Sequence, residues 1–301
     1  MARWFVTVLL ASWSFWFAGA LFAAEGGAEG VELARWVTTA GTLAPAVLAL
    51  LAAGRSPLPG ERGDLLARLV DVRRLRPLDV VRMLAPVPLV TAIAVLISRF
   101  VDADASVSVA WPERAPTMLA MLFLLGALPQ ELAWRAWAQE RLQATRGALS
   151  AALLIGGVSA LWHLPLYLVD GTAEAALGIG TARFWLALLV LLPQAVVLAW
   201  LYNANRQSLV ACIVLHWSML VADGCLRTSV LTELILVLLW TLFAAALVAR
   251  HGPERLSADP ALGRLRAHRA RMRQGMLAPP QDLSRTGSSA RSRAGRGQRP
   301  H

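Results

Sequence analysis

The chain has 301 residues, 57% of them hydrophobic and 16% charged, with a mean hydropathy of +0.54. A soluble domain is about 45–50% apolar, so this composition excludes a string of soluble domains and points to an integral membrane protein with one helical core. The net charge of +10 does not mark a nucleic-acid binder, because twelve arginines against three acidic residues between Arg250 and His301 carry nearly all of it.

Runs of about twenty apolar residues match the hydrocarbon thickness of a bilayer. Eight such spans are predicted, at 4–24, 32–53, 80–101, 115–138, 147–169, 184–203, 207–223 and 229–249. The expected fold class is all-α: a polytopic membrane helical bundle of about eight transmembrane helices, with the N and C termini both cytoplasmic. The first run follows Met-Ala-Arg and is longer than the apolar region of a signal peptide, so it reads as a retained helix.

The connections alternate in charge. Residues 25–34 hold Glu25, Glu29 and Glu32 and no arginine, whereas 54–77 hold Arg55, Arg62, Arg68, Arg73, Arg74 and Arg76. Residues 102–114 include Asp102, Asp104 and Glu113, and 139–146 carry Arg141 and Arg146. The next connection holds Asp170, Glu174 and Arg183; Arg206 follows the sixth span. Arginine-rich connections therefore fall on one side, the cytoplasmic one by the positive-inside rule. Within 57–78, Leu65, Leu66, Leu69, Val70 and Val72 lie among arginines, which predicts an amphipathic helix at that interface.

The chain divides into a membrane-embedded domain, 1–249, and an Arg-rich cytoplasmic tail, 250–301. Rich in Arg, Ser, Gly and Pro, the tail has too little apolar surface to fold and is expected to be disordered. It anchors topology and attracts anionic lipid. All 29 basic residues are arginine, and the two cysteines, Cys212 and Cys225, are too few for a disulfide framework.

Ionisable groups at membrane depth are costly, so those present pair or work. Of five histidines, His251, His268 and His301 lie in the tail, which leaves His163 and His216 inside the spans. Glu131 and Arg135 are four residues apart on the fourth span and share a helix face. Gln130 precedes them, directly after Pro129, which frees a carbonyl near residue 125. The bare spacing fits a structural ion pair as well as a catalytic one. His163, in Trp162-His163-Leu164-Pro165, could act as a base, a donor or an interfacial residue, while His216 stands in mid-span.

Taken together, the segments Pro129–Arg135, Ser159–Leu166 and Trp200–Leu220 resemble the CPBP family of CAAX proteases and bacteriocin-processing (Abi, immunity-type) membrane proteins. The resemblance runs from about Thr117 to Leu220, and the stretch from Asp64 to Val81 also looks family-like. It implies a membrane-embedded CAAX-protease-like domain with core motifs at 117–220, and a glutamate- and histidine-dependent intramembrane protease. In the family a Glu-Glu-x-x-x-Arg helix supplies the water-activating glutamate, a second glutamate and an arginine. Those positions here are Gln130, Glu131 and Arg135. The first family histidine, which shares water activation, matches His163, and the second, which holds the oxyanion with an asparagine, matches His216. The aromatic expected four residues before the first histidine is Ser159, and the asparagine four after the second is Leu220. Asp223, two turns beyond His216, could serve in place of a missing group.

The expected activity is that of a CAAX-type endopeptidase acting on a membrane-associated protein or peptide, weakened by Gln130 and Leu220. The alternative is an inactive member serving as a membrane binding or immunity-type protein. Expected partners are the lipid bilayer and a hydrophobic or lipidated peptide, with no nucleic acid. No tightly bound cofactor is expected. Zinc, which His163, His216 and Glu131 could hold as a His2Glu set, is disfavoured because Glu131 is expected to pair with Arg135.

Overall fold

The computed structural model describes residues 1–56, 60–111 and 113–258. Most of the predicted tail, 259–301, and residues 57–59 of the predicted amphipathic stretch lie outside the described residues. Helices α1 (Ala2–Glu25) and α2 (Gly27–Gly54) form an extended antiparallel pair whose chain reversal is Gly26 and Gly27, both at positive φ, 74° and 76°. Such φ values are open to glycine at little cost.

The amphipathic stretch is not one helix. It is α3 (Glu61–Ala67), then a 3₁₀ turn at Val72–Arg74, because Asp71 accepts from the Arg73 N–H and closes a local turn in place of a further helical one. Leu65 faces inward at 1% exposure, while Val70 and Val72 face outward at 77% and 61%. Helices α4 (Pro77–Leu84) and α5 (Pro86–Val101) follow, each opened by a proline at its first position, where the missing N–H costs nothing.

The long helix α6 runs from Ala115 to Leu142 and is interrupted by two π-helical stretches, Leu122–Ala127 and Leu132–Gln139. They flank Pro129. The Leu128 N–H reaches the Phe123 carbonyl, one residue further back than an α-helix would place it. Such wide turns in membrane helices often mark functional positions. From Pro129 to Gln139 every side chain is buried, so α6 is the central rod of the bundle. Helices α2, α7 (Ala148–His163), α9 (Ala182–Ala204) and α10 (Leu209–Cys225) pack around it. The short α8 (Ala173–Leu177) lies between α7 and α9, and α11 (Val230–His251) packs on α5 and α9.

Among the described residues seven helical segments are long and apolar enough to cross a membrane: α1, α2, α4 with α5, α6, α7 with its 3₁₀ extension to Leu168, α9 and α11. The protein is a multi-pass integral membrane protein with a helical-bundle fold. Seven of the eight predicted spans match these segments. The seventh predicted span is α10, a shorter apolar helix of 17 residues, at the lower limit of the length that crosses a bilayer. A two-stranded antiparallel ribbon, β1 (Val107–Val109) with β2 (Leu226–Thr228), ties the end of α10 to the loop before α6.

Two apolar clusters hold the bundle. The larger joins α2, α5, α6, α9, α10 and α11. The smaller is aromatic and joins α1, α6 and α7 through Trp16, Trp134 and Trp162, with the Trp16 and Trp162 rings 4.6 Å apart. Both free cysteines, Cys212 and Cys225, are buried. Residues 252–258, which the sequence assigns to the tail, fold back onto the bundle. The carbonyls of Pro253 and Glu254 accept from the N–H groups of Leu149 and Ala148 at the start of α7, and Leu256 is fully buried.

Candidate functional site

The predicted pair on α6 forms. Arg135 Nε donates to Glu131 Oε2 at 3.1 Å, with side-chain exposures of 4% and 0%. The other carboxylate oxygen, Glu131 Oε1, is 2.8 Å from His216 Nδ1 on α10. Glu131 therefore bridges an arginine on its own helix and a histidine 85 residues away. A carboxylate only accepts when ionised, so the His216 Nδ1 carries the proton of that contact. With one proton on the ring, the opposite nitrogen, Nε2, is an acceptor. With two, His216 is a cation countered by Glu131, and Nε2 is a donor.

His163 ends α7. Its Nδ1 lies 2.7 Å from the Ser159 carbonyl oxygen, one turn back. A carbonyl only accepts, so Nδ1–H donates and the neutral ring presents Nε2 as a free lone pair. The family's aromatic is absent at Ser159, but the contact uses the backbone of that residue. Trp162 packs edge-on to the His163 ring at 4.8 Å. His163, His216 and Glu174 lie close enough to interact electrostatically. Asp223 is likewise within reach of His216 and Glu174.

Gln130 stands beside Glu131 on the same turn, 6% exposed, and its amide makes no hydrogen bond among the described residues. Leu220 packs against α6 where Gly126 has no side chain: a Cβ at Gly126 would fall 2.8 Å from Leu220 Cδ1. Thus Gln130, Glu131 and Arg135 share α6, His216 is joined to Glu131, and His163 approaches from α7 without a direct bond to the others.

The polar array extends beyond the residues the sequence singled out. Arg135 Nη1 donates to Gln139 Oε1 at 3.4 Å, and Gln139 Nε2 donates to Asn203 Oδ1 at 3.4 Å and to the Ala199 carbonyl at 3.5 Å. Asn203 Nδ2 donates to the Arg255 carbonyl at 2.8 Å. Gln139 and Asn203 are both fully buried. Gln139 had a signal in the sequence, since 131, 135 and 139 form a stripe of polar residues four apart in an apolar helix. Asn203 had none.

A second buried arginine was also missed. Arg68, 1% exposed, pairs with Asp64 and with Glu140 of α6 and donates to the Tyr202 hydroxyl at 2.9 Å. Burial works against its charge, yet Tyr202, Glu140 and Asp64 together hold the guanidinium protonated more firmly than usual. Nearby, Arg141 pairs with Glu61 at 2.8 Å and lies 3.0 Å over the Trp137 ring. These contacts fasten α3 to the same end of α6.

The contacts of the two histidines use Nδ1 and leave Nε2 of each ring open. Both oxygens of Glu131 and the Nδ1 atoms of both histidines are engaged by protein partners. Among the described residues no three His, Cys, Asp or Glu stand together as ion ligands.

Fold and site together define a multi-pass helical membrane protein with a histidine–carboxylate–arginine centre on its central helix. Residues 112–221 match the model of the Rce1-like family, type II CAAX prenyl endopeptidase. That interval contains α6, α7, α9 and nearly all of α10, and so all five candidate residues. CAAX prenyl protease 2 of Methanococcus maripaludis is 25% identical over 257 residues, covering 81% of this chain and 92% of that protein. Both likenesses are to CAAX prenyl proteases.

Proposed function

We propose that this protein is an intramembrane endopeptidase of the CAAX type, which hydrolyses a peptide bond of a hydrophobic or prenylated substrate at the membrane. The observation that carries the reading is the pairing of two differently prepared imidazoles. His163 Nδ1 donates to the Ser159 carbonyl and His216 Nδ1 to the Glu131 carboxylate, so each ring keeps Nε2 for the reaction, one beside a neutral partner and the other beside a charged one. One nitrogen can take a proton from water while the other stabilises the oxyanion as water adds to the scissile carbonyl. On collapse, the C–N bond breaks and the amine leaves with the proton held by His163. Arg135 neutralises Glu131 and keeps it as an anchor. Gln130 cannot accept a proton and serves to bind water or the substrate carbonyl. No metal enters this reading.

Replacement of the family glutamate by Gln130 and of the asparagine by Leu220 lowers the expected turnover. Each such group is worth roughly 10²-fold or more. The same two positions favour the second reading, an inactive member that binds a lipidated peptide in the bundle. In this reading both termini are cytoplasmic, the side to which the positive-inside rule assigns the arginine-rich connections.

The test is cleavage of a prenylated peptide library by purified wild type, His163→Ala and Gln130→Glu. Peptidase activity requires that wild type cuts and His163→Ala does not. A silent wild type that gains cleavage through Gln130→Glu establishes the inactive reading.

A further inference from the structure

We infer that Gln139 and Asn203 are positioning residues for the Glu131–His216 pair, fixed in turn by the segment from Gly252 to Ser257. The inference rests on the proposed role of that pair, but its geometry can be read without any substrate.

The array is continuous. From His216 it runs to Glu131, Arg135, Gln139 and Asn203, and ends on the Arg255 carbonyl. Each link has a definite donor. Arg135 carries only donors, so Gln139 must turn its carbonyl oxygen to it and its NH2 away. That NH2 faces Asn203, which must therefore present its own oxygen there and its NH2 outward, to the Arg255 carbonyl. Reversing any amide would set donor against donor or oxygen against oxygen in a place from which water is excluded, at the cost of an unpaired buried group. The orientation at one end thus dictates the orientation at the other.

The outer end is held independently. Leu256 is fully buried and adopts a positive φ of 47°, a conformation that costs a branched aliphatic residue energy unless packing imposes it. Ser257 Oγ donates to the Asn203 carbonyl at 3.3 Å, and Pro253 and Glu254 cap the open N–H groups of α7. A segment just past the last membrane helix therefore grips α9 at Asn203 and α7 at its first turn. Through Gln139 it fixes the arginine that holds Glu131 in place.

The experiment uses the full chain in lipid nanodiscs, labelled with ¹⁵N-histidine. Five histidines make the spectrum assignable with His216→Ala and His163→Ala. The His216 Nδ1–H proton, bonded to Glu131, gives a downfield resonance in wild type. Gln139→Met and Asn203→Leu are expected to shift it upfield or broaden it to loss, while the control Ser98→Ala, at the remote Ser98–Thr232 hydroxyl pair, leaves it in place. Leu256→Asp, which expels the segment and leaves both amides intact, is expected to move it in the same direction. If Gln139→Met does not fold, Leu256→Asp decides. A folded Gln139→Met or Leu256→Asp with an unchanged resonance overturns the inference. A wild type that shows the resonance and its shifts yet cuts no peptide leaves the inference standing and removes the peptidase reading instead.

Discussion

Arg68 and Arg135 are both almost completely buried, and both pair with carboxylates on α6, yet they are built to different ends. Arg68 is a closed knot. Two of its three partners also engage each other, as Tyr202 donates to Glu140 at 2.8 Å, and with Asp64 the result joins α3, α6 and α9. Arg135 leaves its partner half available. One oxygen of Glu131 answers the guanidinium, and the other reaches across to a histidine on α10 that has a second nitrogen to spare. Burial and charge are alike at the two arginines. What separates the two is where the network ends: the Arg68 contacts end on Asp64, Glu140 and Tyr202, whereas those of Arg135 reach, through Glu131, an imidazole with a second ring nitrogen open.

Four substitutions break or sharpen that contrast. Arg135→Met should cut turnover per folded molecule by about 10²–10⁴-fold, the range for loss of acid–base function, since Glu131 loses the charge that keeps it as the His216 anchor. Peptide cleavage normalised to the folded fraction reads this. Arg68→Met should leave that normalised turnover within a few-fold of wild type while costing about 3–5 kcal/mol of stability, because Glu140 is left buried with its charge unpaired. Thermal unfolding in detergent measures it. Tyr202→Phe removes one hydroxyl that both Arg68 and Glu140 use. Its expected cost is about 1.5–3 kcal/mol, the range for hydrogen bonds to charged groups, again without effect on cleavage. Gly126→Ala is the mildest, about 1 kcal/mol, at the low end for overpacking, since the clash falls on the movable end of Leu220. A loss above that of Tyr202→Phe would show that Leu220 cannot rotate away.

The sequence made some of this contrast visible and hid the rest for definable reasons. Span lengths and the lone intramembrane histidines were legible because the bilayer penalises charge at every position. The Glu131–Arg135 pair was legible because it is local, one turn of a helix. The bond from Glu131 to His216 spans 85 residues, and no pattern within either helix encodes it. The family resemblance put both residues in one site. Arg68 stood among six arginines of one connection, and nothing in spacing marked it as the one whose guanidinium turns inward. The two π-helical stretches around Pro129 were foreshadowed only as a freed carbonyl. The proline signals that the ladder must adjust, but the neighbouring helices decide how. The segment after Gly252 escaped because its anchoring uses backbone carbonyls, which every residue has.

The contact of Gly126 with Leu220 couples those two positions. Leucine fills the hollow over the bare backbone of α6, and an asparagine there, of the same branched outline, would set a polar amide in its place. A methyl group added at 126 while leucine is present would collide with it. The two positions are therefore best exchanged as a set, since any side chain at 220 that reaches this hollow needs the bare backbone at 126.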